Sequence, residues 1–173
     1  VVSKISTGEL DIASVPSNLA AALWNKTQGG VKVLGVNALG VLYLVTKGEE
    51  IHSIADLKGK TIISSGKGTT AQYTVEYLLK ANGIDPETDV TIDYKAEHAE
   101  AASAIASAET AVAILPQPFV TTVTMQNADV SIALDLSAEW EKATGKKLPM
   151  GVIIGRTEFV EAHPDAVNAF LDQ

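Results

Sequence analysis

The order of apolar runs and helix-like segments is the feature that most constrains how this chain folds. The apolar runs have strand length, are rich in valine, isoleucine and leucine, and show little polar alternation, as in residues 31–36 and 111–115. Runs of this kind are typical of strands buried on both faces. Helical patterns lie between them, for example at residues 97–108. Repeated β-α-β units favour an α/β protein with mostly parallel sheets and right-handed crossovers.

The predicted elements follow each other closely. Strands are predicted at residues 10–15, 31–36, 41–46, 60–64, 90–94, 111–115, 130–134 and 150–155. The end of a helix is predicted at residues 1–7, one helical turn at 53–59, and helices at 17–26, 70–82, 97–108, 119–127, 138–144 and 158–171. We expect Ser17 or Asn18 to cap the helix over 17–26. We expect Pro164 to split the last helix at His163.

Size and charge exclude several classes of protein. The chain has 173 residues, enough for one domain or two small lobes, each with a core. A net charge of −8 leaves no basic footprint for nucleic-acid binding. Arg156 is the only arginine, so a clamp of several guanidinium groups is excluded. The chain has no cysteine, which excludes disulfides, thiolate metal sites and cysteine nucleophiles.

Catalytic and cofactor motifs are incomplete in this sequence. The glycine spacing around Gly66 does not fit a P-loop. His98 and Glu100 match half of a zinc-deaminase signature, whose cysteine half is missing. His52, His98 and His163 lie far apart, and we expect all three to be solvated surface residues. No G-x-S-x-G elbow is present. The sequence therefore favours binding over catalysis and predicts neither a cofactor nor a metal.

Polar junctions after four predicted strands indicate where a ligand binds. They lie at residues 16–18, 37–40, 65–70 and 116–118 and are rich in hydroxyl, amide, glycine or proline residues. Open α/β sheets bind ligands beyond the carboxyl ends of their strands. Free N–H groups at helix N-termini attract anions there without arginine. The four junctions together predict a ligand cleft.

A set of motifs gives the chain a family resemblance. In order, these are GELDIASVP at 8–16, SIADLKGKTI at 53–62, a GTT turn with a long helix, LPQPF at 115–119, and EFVEAHPDAVNAF at 158–170. The set resembles the substrate-binding proteins of ABC transporters of the sulfonate, nitrate and thiamine-precursor type.

The resemblance implies a type II periplasmic-binding-protein fold. Two α/β lobes with mixed, mostly parallel sheets would face each other across a cleft. Residues 1–45 and 150–173 would form the first lobe, and residues 46–149 the second. The strand at 41–46 would lead out of the first lobe and that at 150–155 would lead back. The start of the first lobe and its closing helices would be missing, so we expect the chain to be truncated at both ends of this lobe.

The resemblance also implies a function. The protein would be a monomeric extracytoplasmic receptor, in the periplasm or lipid-anchored outside the cell membrane. By hinge closure it would deliver a small polar or organic-anion solute to an ABC permease in the membrane. Carried over by position, the ligand-binding candidates are Pro16, Ser17, Asn18, Asn37, Leu39, Gly40, Gly66, Gly68, Thr69, Thr70 and Gln117.

Three details qualify the expected site. Gln117 stands where family members often carry glutamate, which weakens the expectation of a cationic ligand group. The glycines would let backbone N–H groups approach the ligand. Tyr43 and Tyr73 are candidates for an aromatic wall.

Two other functions are compatible with the same fold. An enzyme related to pyrimidine-precursor synthases would need a histidine or a metal near the cleft. The effector-sensing domain of a transcription regulator would need a helix-turn-helix upstream in the parent gene.

Overall fold

The computed structural model describes residues 1–172, which form two compact units. Residues 1–39 together with the chain from Pro149 onward make unit 1, and Gly40–Leu148 make unit 2. No helix within residues 1–172 combines the length and apolarity needed to cross a bilayer.

Eight helices and eight strands are described within residues 1–172. The helices are α1 Val2–Thr7, α2 Ser17–Thr27, α3 Thr70–Ala81, α4 His98–Ser107, α5 Phe119–Gln126, α6 Leu136–Thr144, α7 Thr157–Ala162 and α8 Pro164–Leu171. The strands are β1 Ile12–Pro16, β2 Val31–Leu39, β3 Leu42–Lys47, β4 Thr61–Ser65, β5 Thr91–Lys95, β6 Ala111–Pro116, β7 Val130–Asp135 and β8 Pro149–Arg156. A short 3-10 helix covers Ile54–Leu57.

Unit 1 is built on a three-stranded antiparallel sheet. The strand order is β1-β8-β2, and β8 runs opposite to both neighbours. Its core includes Val15, Leu23, Val31, Val152 and Ile154. Because Val15 packs with the α2 residue Leu23, its neighbours in β1 point to the other face of the sheet.

Unit 2 is built on a five-stranded mixed sheet. The strand order is β5-β4-β6-β3-β7. The β5–β4 and β4–β6 pairs are parallel, whereas β3 is antiparallel to β6 and β7. Helices cover both faces. One face carries Val45, which packs with Ile105 of α4 and Val123 of α5. The other carries Leu44 and Ile114, which line a small apolar void with α3 and α6.

The prediction of mixed sheets is confirmed, but the prediction that they are mostly parallel is wrong. Within residues 1–172, four strand pairings are antiparallel and two are parallel. The strands joined by α2 run parallel to each other, but β8 lies between them, and β3 likewise lies between β6 and β7. A strand that is buried on both faces has the same run of apolar residues whether its neighbours are parallel or antiparallel. The apolar runs therefore could not reveal that β8 and β3 lie between other strands.

Several element boundaries differ from the sequence expectations. Strand β3 is an inner strand of unit 2, so residues 42–45, expected in the first lobe, belong to the second unit. Strand β2 extends to Leu39, so residues 37–39 are strand rather than loop. The N-cap of α2 is Pro16, without a side-chain capping hydrogen bond, in place of the expected Ser17 or Asn18. The split of the last helix at His163 is confirmed.

Candidate functional site

Three helices of unit 2 begin at one edge of its sheet. Strands β5, β4 and β6 are parallel and adjacent, and they end at Lys95, Ser65 and Pro116. Helices α4, α3 and α5 start a few residues beyond these ends. Because the carboxyl ends of parallel neighbours share one edge, three helix N-termini gather there.

A buried serine and a histidine meet at this edge. Ser65, at the end of β4, is only 3% exposed. Its Oγ lies 2.5 Å from Nδ1 of His98, the first residue of α4. The His98 ring also packs on Phe119, with ring centroids 5.4 Å apart. The expectation that His98 is a solvated surface residue is therefore wrong.

Sequence reasoning missed His98 because the two residues lie 33 positions apart. The signal that could have found it is its place at a helix start after a strand. The four predicted junctions were chosen because each follows the end of a strand, and the segment between β5 and α4 also follows the end of a strand.

The loop between β4 and α3 is held by its own hydrogen bonds. Gly66 has a positive φ of 76°, a conformation that favours glycine. Thr69 Oγ1 donates to the Gly66 carbonyl. The Gly68 N–H donates to Gln72 Oε1 at 2.7 Å, so this amide is used inside the loop. Thr69 is the N-cap of α3 and Thr70 its first residue. These predicted residues therefore shape the start of α3.

Positive charge lies beside the same edge. Lys67 Nζ lies 5.7 Å from the ring centroid of Tyr94. Burial raises the pKa of Tyr94, and the charge of Glu76 raises it further, so the phenol stays neutral at physiological pH. A hydrogen bond to Asp93 raises the pKa of Lys95, which stays cationic. The edge thus combines hydroxyl, imidazole and ammonium groups with helix N-termini.

Gln117 folds back onto the first turn of α5. Its Oε1 accepts a hydrogen bond from Thr121 Oγ1 at 2.9 Å. Its backbone N–H donates to the Val41 carbonyl at 3.0 Å. The bond between Gln117 and Pro118 is cis. The carboxamide oxygen of this predicted ligand residue is thus engaged at the helix start.

The predicted residues of unit 1 lie at the ends of β1 and β2. Asn37 is on β2, and its Nδ2 donates to Ser14 Oγ of β1 at 2.7 Å. Pro16 is the last residue of β1, and Ser17 and Asn18 form the first turn of α2. Leu39 ends β2 opposite Pro149 and is half exposed. Ser14 was missed because it lies inside a strand rather than at a junction.

Gly40 is explained by packing within unit 2. A Cβ at this position would overlap Ser137 Oγ, with Ser137 Cβ 2.9 Å and Leu148 Cδ2 3.2 Å away. Its lack of a side chain therefore serves close packing against α6.

The two aromatic-wall candidates differ in their surroundings. Tyr43 is partly buried and packs on the core cluster of Val45, whereas Tyr73 on α3 is 53% exposed.

The structure thus divides the eleven candidates between the units. Pro16, Ser17, Asn18, Asn37 and Leu39 belong to unit 1, and Gly40, Gly66, Gly68, Thr69, Thr70 and Gln117 to unit 2. Residues 1–172 contain no cluster of three or more histidine, cysteine, aspartate or glutamate residues able to hold a metal ion.

An apolar groove lies beside α2 in unit 1. Its volume is about 480 Å³, and Trp24, Val33, Val36 and Val152 are among its lining residues. This lining suits apolar contact, in contrast to the polar edge of unit 2.

Comparison with known proteins finds a family match over almost the whole chain. Residues 1–170 match the model of the phosphonate periplasmic substrate-binding proteins of ABC transporters. A protein of Brucella abortus (strain 2308), provisionally named a binding protein, is 28% identical over 170 residues, covering 98% of this chain and 50% of the relative. The chain therefore spans about half the length of the curated relatives it matches.

Solved structures share the fold at low sequence identity. The periplasmic aliphatic sulphonate-binding protein SsuA from Escherichia coli matches with a TM-score of 0.77 at 16% identity, covering 99% of this chain and 56% of that one. The alkanesulfonate-binding protein SsuA from Xanthomonas axonopodis pv. citri, bound to MOPS, matches with a TM-score of 0.65 at 17% identity, with the same coverage of 99% and 56%.

Proposed function

Because this chain belongs to the family of phosphonate periplasmic substrate-binding proteins of ABC transporters, we propose that it is part of a solute receptor for import. The match to solved sulfonate-binding proteins confirms the expected α/β periplasmic-binding-protein fold. The family match also confirms the resemblance to ABC-transporter substrate-binding proteins.

The observation that carries the proposal is the Ser65–His98 contact beside three helix N-termini. A tetrahedral oxoanion needs several donors at one place. Beyond its own hydrogen bond, the Ser65–His98 pair keeps one donor for a ligand. The helix N-termini add the positive ends of their dipoles, and Lys67 adds positive charge. We therefore propose a small organic anion, an alkyl sulfonate or phosphonate, as the solute. Its anionic head would bind at this edge of unit 2.

The candidates of unit 1 form a separate part of the proposal. We propose that they contact solute in the whole receptor: Pro16, Ser17, Asn18, Asn37 and Leu39. Gly40 and Gln117 would support the site through the contacts described above.

Partner and compartment follow from the same function. We propose that the receptor acts outside the cytoplasmic membrane as a monomer and hands its solute to an ABC permease. Family membership supports the compartment and the permease partner.

Binding rather than catalysis fits the surroundings of His98. Hydrolases that pair serine with histidine use a third polar group to orient the imidazole. Here the Phe119 ring packs on the His98 ring. Incubation of the full-length gene product with its bound solute should therefore return that solute unchanged by mass spectrometry.

Isothermal titration of the full-length gene product tests the proposal. Methanesulfonate and methylphosphonate serve as probes, with Ser65→Ala and His98→Ala as site variants. We expect each variant to weaken binding of the preferred probe at least about 10-fold, or about 1.4 kcal/mol.

Matched controls lie outside the edge. Ser107→Ala removes a hydroxyl that bonds only within α4, and His52→Ala removes a histidine before the 3-10 helix. Both should bind like the wild type. Binding that is insensitive to Ser65→Ala and His98→Ala, or no binding of either probe, contradicts the proposal.

A further inference from the structure

We propose that Ser14 and Gly151 are positioning residues that hold the Asn37 carboxamide in place for the solute. The inference rests on the proposed function, since it assigns Asn37 to the solute site of unit 1. Ser14 accepts a hydrogen bond from the amide nitrogen. Gly151 has no side chain, which leaves room for the amide oxygen to lie over it.

Asn37 occupies a β-bulge. Along β2, Val36 pairs with Val152 and Ala38 pairs with Gly151, so two consecutive residues of β8 face three residues of β2. Asn37 is the extra residue. A bulge leaves one residue outside the ladder and redirects its side chain, and bulges are frequent beside functional sites.

The redirected side chain crosses the central strand. A Cβ at Gly151 would lie 2.8 Å from Asn37 Oδ1. Beyond this glycine, Asn37 Nδ2 donates to Ser14 Oγ at 2.7 Å on the far strand β1. The Asn37 side chain thus connects the two outer strands, β2 and β1, and passes over Gly151 of the central strand β8, which has no side chain.

The register explains why all three residues meet on one face. Pro16 pairs with Gly151 and Ser14 pairs with Ile153, so Ser14 and the open position above Gly151 share a face. Val15 and Val152 point to the opposite face, where α2 packs. The Ser14–Asn37 pair therefore lies away from the core, and both residues are exposed.

Stability of the strand does not explain an asparagine here. Asparagine is disfavoured in strands, and an exposed hydrogen bond contributes little to folding. The arrangement does fix the amide orientation. With one Nδ2 proton engaged by Ser14, the carboxamide oxygen remains an acceptor and the second Nδ2 proton remains a donor. Asn37 thus offers a solute one acceptor and one donor at fixed positions, and Ser14 acts only by holding the amide.

The experiment combines two measurements on the full-length gene product. The first is water exchange of the Asn37 side-chain amide protons by NMR, which needs no solute. We expect Ser14→Ala and Gly151→Ala each to speed this exchange several-fold. Gly35→Ala is the matched control on β2, because a Cβ there meets nothing within 4 Å, and it should leave the exchange unchanged.

The second measurement is titration with methylphosphonate and 2-hydroxyethanesulfonate. We expect Ser14→Ala and Asn37→Ala each to weaken binding of the better probe by about 5-fold or more. The double variant should bind no more weakly than Asn37→Ala alone, because Ser14 acts through Asn37.

The outcomes separate the two proposals. Unchanged amide exchange in Ser14→Ala, or fully additive losses of affinity, overturns the positioning role. If neither probe binds the wild type, the proposed function fails, and the exchange measurement alone still decides whether Ser14 and Gly151 fix the amide. Should Gly151→Ala fail to fold, Ser14→Ala carries the test.

Discussion

The two units place polar side chains at their candidate sites by different means. In unit 2, Ser65 and His98 lie where parallel strands end and helices begin. In unit 1 the sheet is antiparallel, and a bulge sends Asn37 across Gly151 to Ser14. In unit 1, β1 and β2 also end at one edge, but the antiparallel strand β8 lies between them. Its candidates therefore include Asn37 within a strand as well as the junction residues Pro16, Ser17 and Asn18.

Equal truncations of the two cores give the largest expected effects. Ile105 in unit 2 and Ile154 in unit 1 are both fully buried. We expect Ile105→Ala and Ile154→Ala each to cost about 3 kcal/mol of unfolding free energy. Trp24 reports on unit 1 and Trp140 on unit 2, so urea unfolding in Trp24→Phe and Trp140→Phe backgrounds follows each unit separately.

Val33→Ala is the control for this pair, because Val33 is 60% exposed on β2. It should change stability by less than about 0.5 kcal/mol. A loss below about 1 kcal/mol for either isoleucine would show that the core of that unit is wrongly assigned.

A glycine pair gives the next largest effect. Gly40→Ala would drive a methyl group into Ser137, and we expect a loss of about 2 kcal/mol from overpacking. Gly35→Ala, with open space around it, should lie within about 0.5 kcal/mol of the wild type. Urea denaturation measures both, followed by Trp140 fluorescence for Gly40→Ala in unit 2 and by Trp24 fluorescence for Gly35→Ala in unit 1.

Adding Ser137→Gly to Gly40→Ala removes the two Ser137 atoms that the new methyl would meet. We expect this double variant to recover part of the lost stability. If the double variant is as unstable as the sum of its parts, the steric account of Gly40 is wrong.

The two units also differ in how a helix is capped, and we expect the effect of this difference on stability to be smaller. In unit 2, Asp135 accepts hydrogen bonds from the Ser137 and Ala138 N–H groups at the start of α6. In unit 1, the N-cap of α2 is Pro16, which makes no side-chain capping hydrogen bond. We expect Asp135→Ala to lower the free energy of unfolding of unit 2 by about 1 kcal/mol.

Asp135→Asn keeps a capping oxygen and is the matched control. It should retain most of the stability in the same urea experiment. An equal loss in both variants would mean that the negative charge, rather than the capping hydrogen bonds, stabilises α6.

Most helices and strands could be predicted from the sequence because local patterns, such as apolar runs and prolines, indicate where they begin and end. The apolar runs located β6 at its predicted start, and Pro164 located the break between α7 and α8. Strand direction could not be predicted in the same way. The neighbours of β3 and β8 come from distant parts of the chain, and a doubly buried strand has the same pattern beside either kind of partner.

The candidate site was less accessible to sequence reasoning. Junction rules identified the loop before α3, but they did not pair Ser65 with His98, because that contact depends on the order of strands in the sheet. Asn37 was singled out as a loop residue, yet it lies in a β-bulge whose register only the partner strand defines. Ser14 and Gly151 carry no local signal at all.

Acid titration gives the smallest and most local effect, confined to unit 2. The His52 and Ser53 N–H groups donate to Asp56 Oδ2 at the start of the 3-10 helix, and these bonds with the Ser53 hydroxyl hold the pKa of Asp56 below its ordinary 3.8. A carboxyl with a lower pKa in the folded state stabilises the protein above the unfolded pKa. It loses that contribution as pH falls through the folded pKa.

Asp56→Asn should therefore lower the urea midpoint of the Trp140 transition near neutral pH, and the difference in midpoint from the wild type should shrink below about pH 3.8. The Trp24 transition should not respond, since Asp56 lies in unit 2. A gap that stays constant from pH 7 to pH 2.5 would show that the Asp56 cap acts through its shape and not through its charge.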